Sequence, residues 1–173
     1  MCPNNNFVNL SYVTMTSILY LKSKLTFIFF YLIVPKDFEN KNINFLEILH
    51  KENDYFNIIL IIIDNRYDNA NTDRKITKQT YISFSLGEVL FNAIKTIYFD
   101  TDIIVYKDLI KFFNINFNVK LILDYFRYEN KRAEIGYLYR INTGVLLMNL
   151  LELRKNKFEK YFKLLKKDLF IIS

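Results

Sequence analysis

Apolar and polar positions alternate along the chain in blocks. Thr26–Val34 (TFIFFYLIV) and Phe56–Ile63 (FNIILIII) are near-continuous apolar runs rich in β-branched and aromatic residues, the pattern of strands buried on both faces. Pro35 closes the first run. Between them, DFENKNINFLEILH (Asp37–His50) has helical spacing, with Asp37 as the expected N-cap. Ahead of the first strand, Tyr12–Leu21 is predicted helical, with Val13, Ser17 and Leu21 on one face. After the second strand come a polar loop (Asp64–Arg74), a helix (Thr77–Phe91) and an apolar run, Thr96–Phe99. A short helix (Asp108–Phe113), strands at Val119–Asp124 and Thr143–Leu150, and a terminal helix complete the pattern. The terminal helix has Phe158, Tyr161, Phe162, Leu165 and Leu169 on its apolar face and seven Lys or Arg on the rest. Apolar strands alternating with helices predict an α/β fold with a mainly parallel sheet and helices on both faces.

In such sheets ligands bind beyond the carboxyl ends of the strands. Asp100 sits at such an end, and Asp102 follows before a second apolar run, Ile103–Val105. In an extended segment, residues two apart point the same way, so both carboxylates aim at one place while Thr101 faces away. Two converging carboxylates repel unless one is protonated or a cation lies between them. Mg²⁺ or Mn²⁺ suits hard oxygen ligands and is commonly held by one or two carboxylates plus substrate phosphates. The plain alternative is a solvated turn between two strands.

Composition narrows this picture without replacing it. The 173 residues are 51% apolar and 24% charged, enough for one domain with a real core and not a disordered chain. The net charge of +6 fits phosphates or an anionic surface, but there is no arginine-rich stripe and no basic-aromatic motif for nucleic acid. Much of the Lys and Asn content is what AT-rich codons produce. A single cysteine, Cys2, excludes an internal disulfide and fits a reducing, cytoplasmic setting. Leu25–Val34 is too short to span a bilayer, and no secretory signal is visible at the start.

IKTIYFDTDIIVYKDL (Ile94–Leu109) resembles the aspartate motif of glycosyltransferase family 8, the retaining nucleotide-sugar transferases of GT-A fold. FSLGEVLFNAIKTIYFD resembles the helix leading into that motif, and INTGVLLMNLLELRK the family's later strand and following helix. NNNFVNLSYVTMTSIL and FIFFYLIVPKDF resemble its first loop and helix and its second strand, so the likeness runs over almost the whole chain in the right order.

The resemblance implies a hexosyl transfer from a UDP-sugar to a saccharide or glycolipid acceptor, of the kind used in bacterial lipopolysaccharide assembly. Asp100 and Asp102 would bind Mn²⁺ (or Mg²⁺) with the donor diphosphate, Asp102 also reaching the ribose or sugar. Asn6 and Phe7 match the first-loop Asn-Tyr pair, with Phe7 stacked on uracil. Thr101, Asn142, Thr143 and Gly144 would complete the donor side, and Asp124 would face the acceptor. The basic terminal helix suggests peripheral contact with an anionic membrane surface.

The departures are equally specific. Asn4 and Asn5 stand where the family carries acidic residues, and Ser83 where it carries a diphosphate-binding cation, with Lys78 a poor substitute. The family's first strand and its carboxyl-terminal metal-binding segment have no counterpart, so residues 1–173 read as one incomplete domain. His50 is expected on a surface or half-buried and not at a metal. Two other readings follow. One is a non-catalytic member that binds nucleotide weakly or serves as an interaction module. The other is a phosphotransferase of the D-x-D-x-T type, which Ile104 at the Thr position opposes.

Overall fold

The computed structural model describes residues 1–63, 82, 85–116 and 144–155. Helix α1 spans Val8–Leu21, strand β1 Ile28–Pro35, helix α2 Asn40–Glu47 and strand β2 Phe56–Ile63. A short helix α3 (Leu86–Val89) precedes strand β3 (Lys95–Phe99), and α4 (Ile110–Phe113) follows it. Strand β4 (Val145–Asn149) runs directly into helix α5 (Leu150–Lys155). The predicted strand at Val119–Asp124, residues 77–81, 83 and 84 of the predicted Thr77–Phe91 helix, and the terminal helix beyond Lys155 lie outside the described residues.

β1 and β2 pair in parallel over their full length, Ile28 opposite Phe56 through Pro35 opposite Ile63. The crossover between them is α2 and a 3-10 turn (Ile48–Lys51), which a parallel pair requires. β3 and β4 pair antiparallel, Lys95 opposite Asn149 and Phe99 opposite Val145. One apolar core joins the α1–β1–α2–β2 unit to β3, with Met15, Leu32 and Leu49 at 0% exposure and Phe99 and Val105 packed among them. A second core gathers Cys2, Ile33, Leu86, Tyr98, Leu150 and Leu153.

Local chemistry moved several boundaries. Asp37 is not the N-cap of α2; Glu39 occupies that position with no side-chain cap, because the chain is fixed by Asn5 instead. Asn5 Oδ1 accepts from Glu39 N at 2.9 Å and Asn42 Nδ2 at 2.8 Å, while its Nδ2 donates to the Asp37 carbonyl at 2.9 Å. The inward face of α1 is also not the predicted one. Val8, Ser11, Thr14, Met15, Ile18 and Leu19 are buried, and Val13 is 47% exposed. The helix turns Thr14 and Ser17 toward the loop after β3, whose backbone they bond.

Candidate active site

β3 ends at Phe99, and the next residue is tied to β4's entrance: Asp100 N–H donates to the Gly144 carbonyl at 2.8 Å. This single bond places Asp100 beside Gly144, joining two segments that the sequence separates by more than forty positions. Asp100 is half-buried and Asp102 exposed. The expectation of an extended segment here is not met, since Thr101 and Asp102 form a turn. The reason lies in α1. Thr14 Oγ1 donates to the Thr101 carbonyl at 3.0 Å, and Ser17 Oγ accepts from Val105 N at 3.1 Å. Those two hydroxyls take up backbone groups that a continuing strand would have used. Val105 is thereby buried, while Ile104 is 53% exposed.

The loop is fixed again at its far end. Asp108 accepts from Ser23 N at 3.0 Å through one oxygen and from Ile110 N at 2.8 Å through the other, tying the entrance of α4 to the segment just after α1.

Beneath the turn, Tyr98 Oη donates to Asp100 Oδ1 at 2.9 Å. Burial, with the neighbouring Cys2 thiol and the Asp100 carboxylate, pushes the Tyr98 phenol well above its ordinary value, so it stays a donor. Burial likewise raises the Cys2 thiol, which is not a reactive thiolate. The bond commits one oxygen of Asp100 and leaves the other for an incoming group. Two carboxylates on a tethered turn, one of them exposed, form a donor set that fits a hard divalent cation sharing phosphate oxygens. Among the described residues, no group of three or more His, Cys, Asp or Glu is placed to hold a metal.

The first loop supplies an exposed aromatic. Asn4 makes a tight turn, its Oδ1 accepting from Asn6 N at 2.9 Å and its carbonyl from Phe7 N at 3.1 Å. Phe7 follows at the entrance to α1, 46% exposed. Asn4 and Asn5, where acidic residues were expected, thus hold the loop; a carboxylate at position 5 has no donor for the Asp37 carbonyl. His50 stacks on Phe56 with ring centroids 4.2 Å apart and faces Glu47 at 3.6 Å, as a half-exposed side chain would. Asn142, Thr143, Asp124, Lys78 and Ser83 lie outside the described residues.

Sequence reasoning missed two participants. Tyr98 was read as part of an apolar run, although the i, i+2 spacing to Asp100 was a signal. Arg154 was counted on a solvated basic face. Its guanidinium instead donates to the carbonyls of Gly87 (3.0 Å), Leu90 (3.2 Å) and Ala93 (2.9 Å), clamping the turn that delivers the chain into β3.

Comparison with solved structures finds the same fold. The chain is similar to the galactosyltransferase LgtC in complex with donor and acceptor sugar analogs, with a TM-score of 0.66 and 21% identity. That match covers 89% of this chain and 58% of that one. It is also similar to the bifunctional glycosyltransferase WbbM (TM-score 0.70, 14% identity, 95% of this chain and 33% of that one). The glycosyltransferase GlyE of Streptococcus pneumoniae gives 0.65 and 15%, over 99% of this chain and 38% of that one. The chain thus spans three fifths or less of the length of these three proteins. A comparison with the curated proteins finds no match. The α/β class expected from the pattern of elements, and GT-A-like by the family resemblance, is the one these structures share. The glycosyl transferase family 8 model matches residues 1–169, and the chain belongs to that family.

Proposed function

We propose that this chain carries the donor half of a retaining glycosyltransferase site, which takes a UDP-sugar and Mn²⁺ (or Mg²⁺) and passes a hexose to a saccharide or glycolipid acceptor. The observation that carries the reading is the Asp100 N–H to Gly144 carbonyl bond, which brings the aspartate turn and the later family motif to one point at the end of β3. The LgtC structure, solved with donor and acceptor sugar analogs, supports the substrate class.

In this reading, Asp100 and Asp102 hold the cation through hard oxygens. A bound divalent ion supplies charge neutralisation for the departing nucleoside diphosphate. Tyr98 fixes the Asp100 carboxyl so that one oxygen stays directed outward. Phe7, exposed at the entrance to α1, offers a flat apolar face to the uracil ring. Thr101, with its carbonyl bound to α1, sets the height of the turn. The family likeness assigns Asn142, Thr143 and Gly144 to the donor sugar and Asp124 to the acceptor. The site works in the cytoplasm, where nucleotide sugars are made, with a lipid-linked acceptor bringing it to the inner membrane surface. Among the described residues, no helix is long and apolar enough to cross a membrane.

The test is calorimetric titration of UDP into the chain with and without Mn²⁺, beside Asp100→Asn. Binding that requires both the ion and Asp100 is expected, with at least a tenfold loss in the variant. UDP binding of equal strength with metal absent, or with Asn at position 100, overturns the reading. A folded chain that binds no UDP leaves the non-catalytic interaction module, which Ser83 in place of the family's diphosphate-binding cation favours.

A further inference from the structure

Phe7 stands at the N-cap of α1 and makes no side-chain bond to the helix. Ser, Thr, Asp or Asn at that place would accept a backbone N–H, and a phenyl ring accepts none. The ring gives nothing to the start of the helix, yet its backbone is held on both sides. On the helix side the Phe7 carbonyl accepts from Ser11 N at 3.1 Å and from Ser11 Oγ at 3.2 Å. On the loop side Phe7 N donates to the Asn4 carbonyl at 3.1 Å, and Asn6 N donates to Asn4 Oδ1 at 2.9 Å.

The bonds of Asn4 stay inside the loop, whereas those of Asn5 leave it. Asn5 Oδ1 accepts from Glu39 N at 2.9 Å and from Asn42 Nδ2 at 2.8 Å, and its Nδ2 donates to the Asp37 carbonyl at 2.9 Å. Asn42 is 6% exposed, so the node is seated in the body of the protein. Asp37 and Glu39 belong to the connection that leaves β1 at Pro35, and Asn42 belongs to α2. That connection lies beyond the carboxyl end of a parallel strand, the end at which such sheets bind ligands. Two donors already engage the Asn5 carboxamide oxygen, which uses both of its lone pairs within the protein.

We propose that Asn5 is the positioning residue of the nucleotide-base subsite. It ties residues 4–7 to the β1–α2 connection, sets the place at which the Phe7 ring meets the base, and acts through Phe7 without touching the donor. The proposal rests on the donor reading above and deepens it, because a ligand with a base should feel Asn5 and a bare diphosphate should not. The aspartate turn hangs from other anchors, the Thr14 bond to the Thr101 carbonyl and the Asp100 bond to the Gly144 carbonyl. Base and diphosphate are therefore gripped by separately fixed segments, and experiment can separate them.

Calorimetric titration of UDP and of pyrophosphate, each with Mn²⁺, into the full chain and its Asn5→Ala, Phe7→Leu and doubly substituted forms tests this. Stacking of a base on an aromatic ring sets the scale at about tenfold in affinity. Asn5→Ala is expected to weaken UDP about tenfold, to leave pyrophosphate unchanged, and to cost nothing further once position 7 is Leu. Asn5→Asp keeps both acceptor bonds and gives up only the one to the Asp37 carbonyl, so its UDP affinity should fall between those of Asn5→Ala and the unaltered chain. Undiminished UDP binding by Asn5→Ala overturns the proposal, as it does by Asn5→Asp where circular dichroism shows the Ala variant unfolded. An equal loss for UDP and pyrophosphate overturns it, because Asn5 would then hold the fold and not the ring. A further loss on adding Asn5→Ala to Phe7→Leu overturns it too, since Asn5 would act by a route other than Phe7. No UDP binding by the unaltered, folded chain ends the transferase reading and this proposal together, whereas UDP binding that ignores Asn5 ends the proposal alone.

Discussion

Tyr98 and Asp100 show how one hydroxyl sets up a site. Their 2.9 Å bond holds an acidic side chain that would otherwise rotate freely at the end of a strand. Outer partners of metal-ligating groups typically account for about 10–100-fold in metal affinity. Tyr98→Phe keeps the ring among Cys2, Ile33 and Leu150 and removes only the O–H. We expect the Mn²⁺ requirement for UDP binding to persist, with the Mn²⁺ concentration at half-saturation raised about tenfold. The thermal midpoint should move little. A loss of stability with unchanged Mn²⁺ dependence would make Tyr98 a core residue and nothing more. In the sequence its companions hid it, because Ile97 and Phe99 on either side make a plain apolar run.

At the scale of elements, the strongly patterned segments were legible and the hydroxyl-dependent ones were not. β2 coincides with the apolar run Phe56–Ile63, because buried parallel strands must be apolar on both faces. The face predicted for α1, Val13, Ser17 and Leu21, left out Ser11 and Thr14, which are buried. Thr14 and Ser17 in fact carry the bonds that bend the chain after Phe99. Of the candidate site, the aspartate pair was singled out by its place at a strand end and by the family likeness, and Gly144 by the likeness alone. The turn at Thr101 and Asp102 was not legible, since it depends on a contact made 87 residues away in the chain. Arg154 belongs to the same class. It holds three carbonyls around α3, and α5 is itself started by Asn149 Oδ1 accepting from Glu152 N at 3.1 Å. Arg154→Ala leaves those carbonyls without their cation and should cost about 3 kcal/mol in urea unfolding. Arg154→Lys should recover only part of this, because a point charge cannot span three acceptors. Full recovery by Lys would reduce the clamp to a charge effect.

Three titratable groups buried in or beside the second core, Met1, Cys2 and Tyr98, predict the pH at which the molecule is most stable. Burial lowers the Met1 ammonium from 8.0, with the Cys2 and Asp100 charges opposing the shift. Between its folded value and pH 8.0 the unfolded chain holds more protons, so stability rises with pH through that window. The Cys2 thiol is shifted upward from 9.0, again by burial. Above pH 9.0 the unfolded chain releases this proton while the folded chain keeps it, and stability falls. Tyr98, raised from 10.0, steepens that fall at higher pH. These three groups therefore set a maximum between pH 8 and 9. Urea midpoints measured from pH 6 to 10.5 should peak there, and acetylating the Met1 amine should flatten the acid side while sparing the alkaline side. The acetyl amide still offers one N–H to the Tyr31 carbonyl, so the hydrogen bond of Met1 to Tyr31 survives the change. A midpoint that climbs steadily past pH 9, or an acid limb indifferent to acetylation, would mean that the Met1 amine beside the Tyr31 carbonyl is open to water.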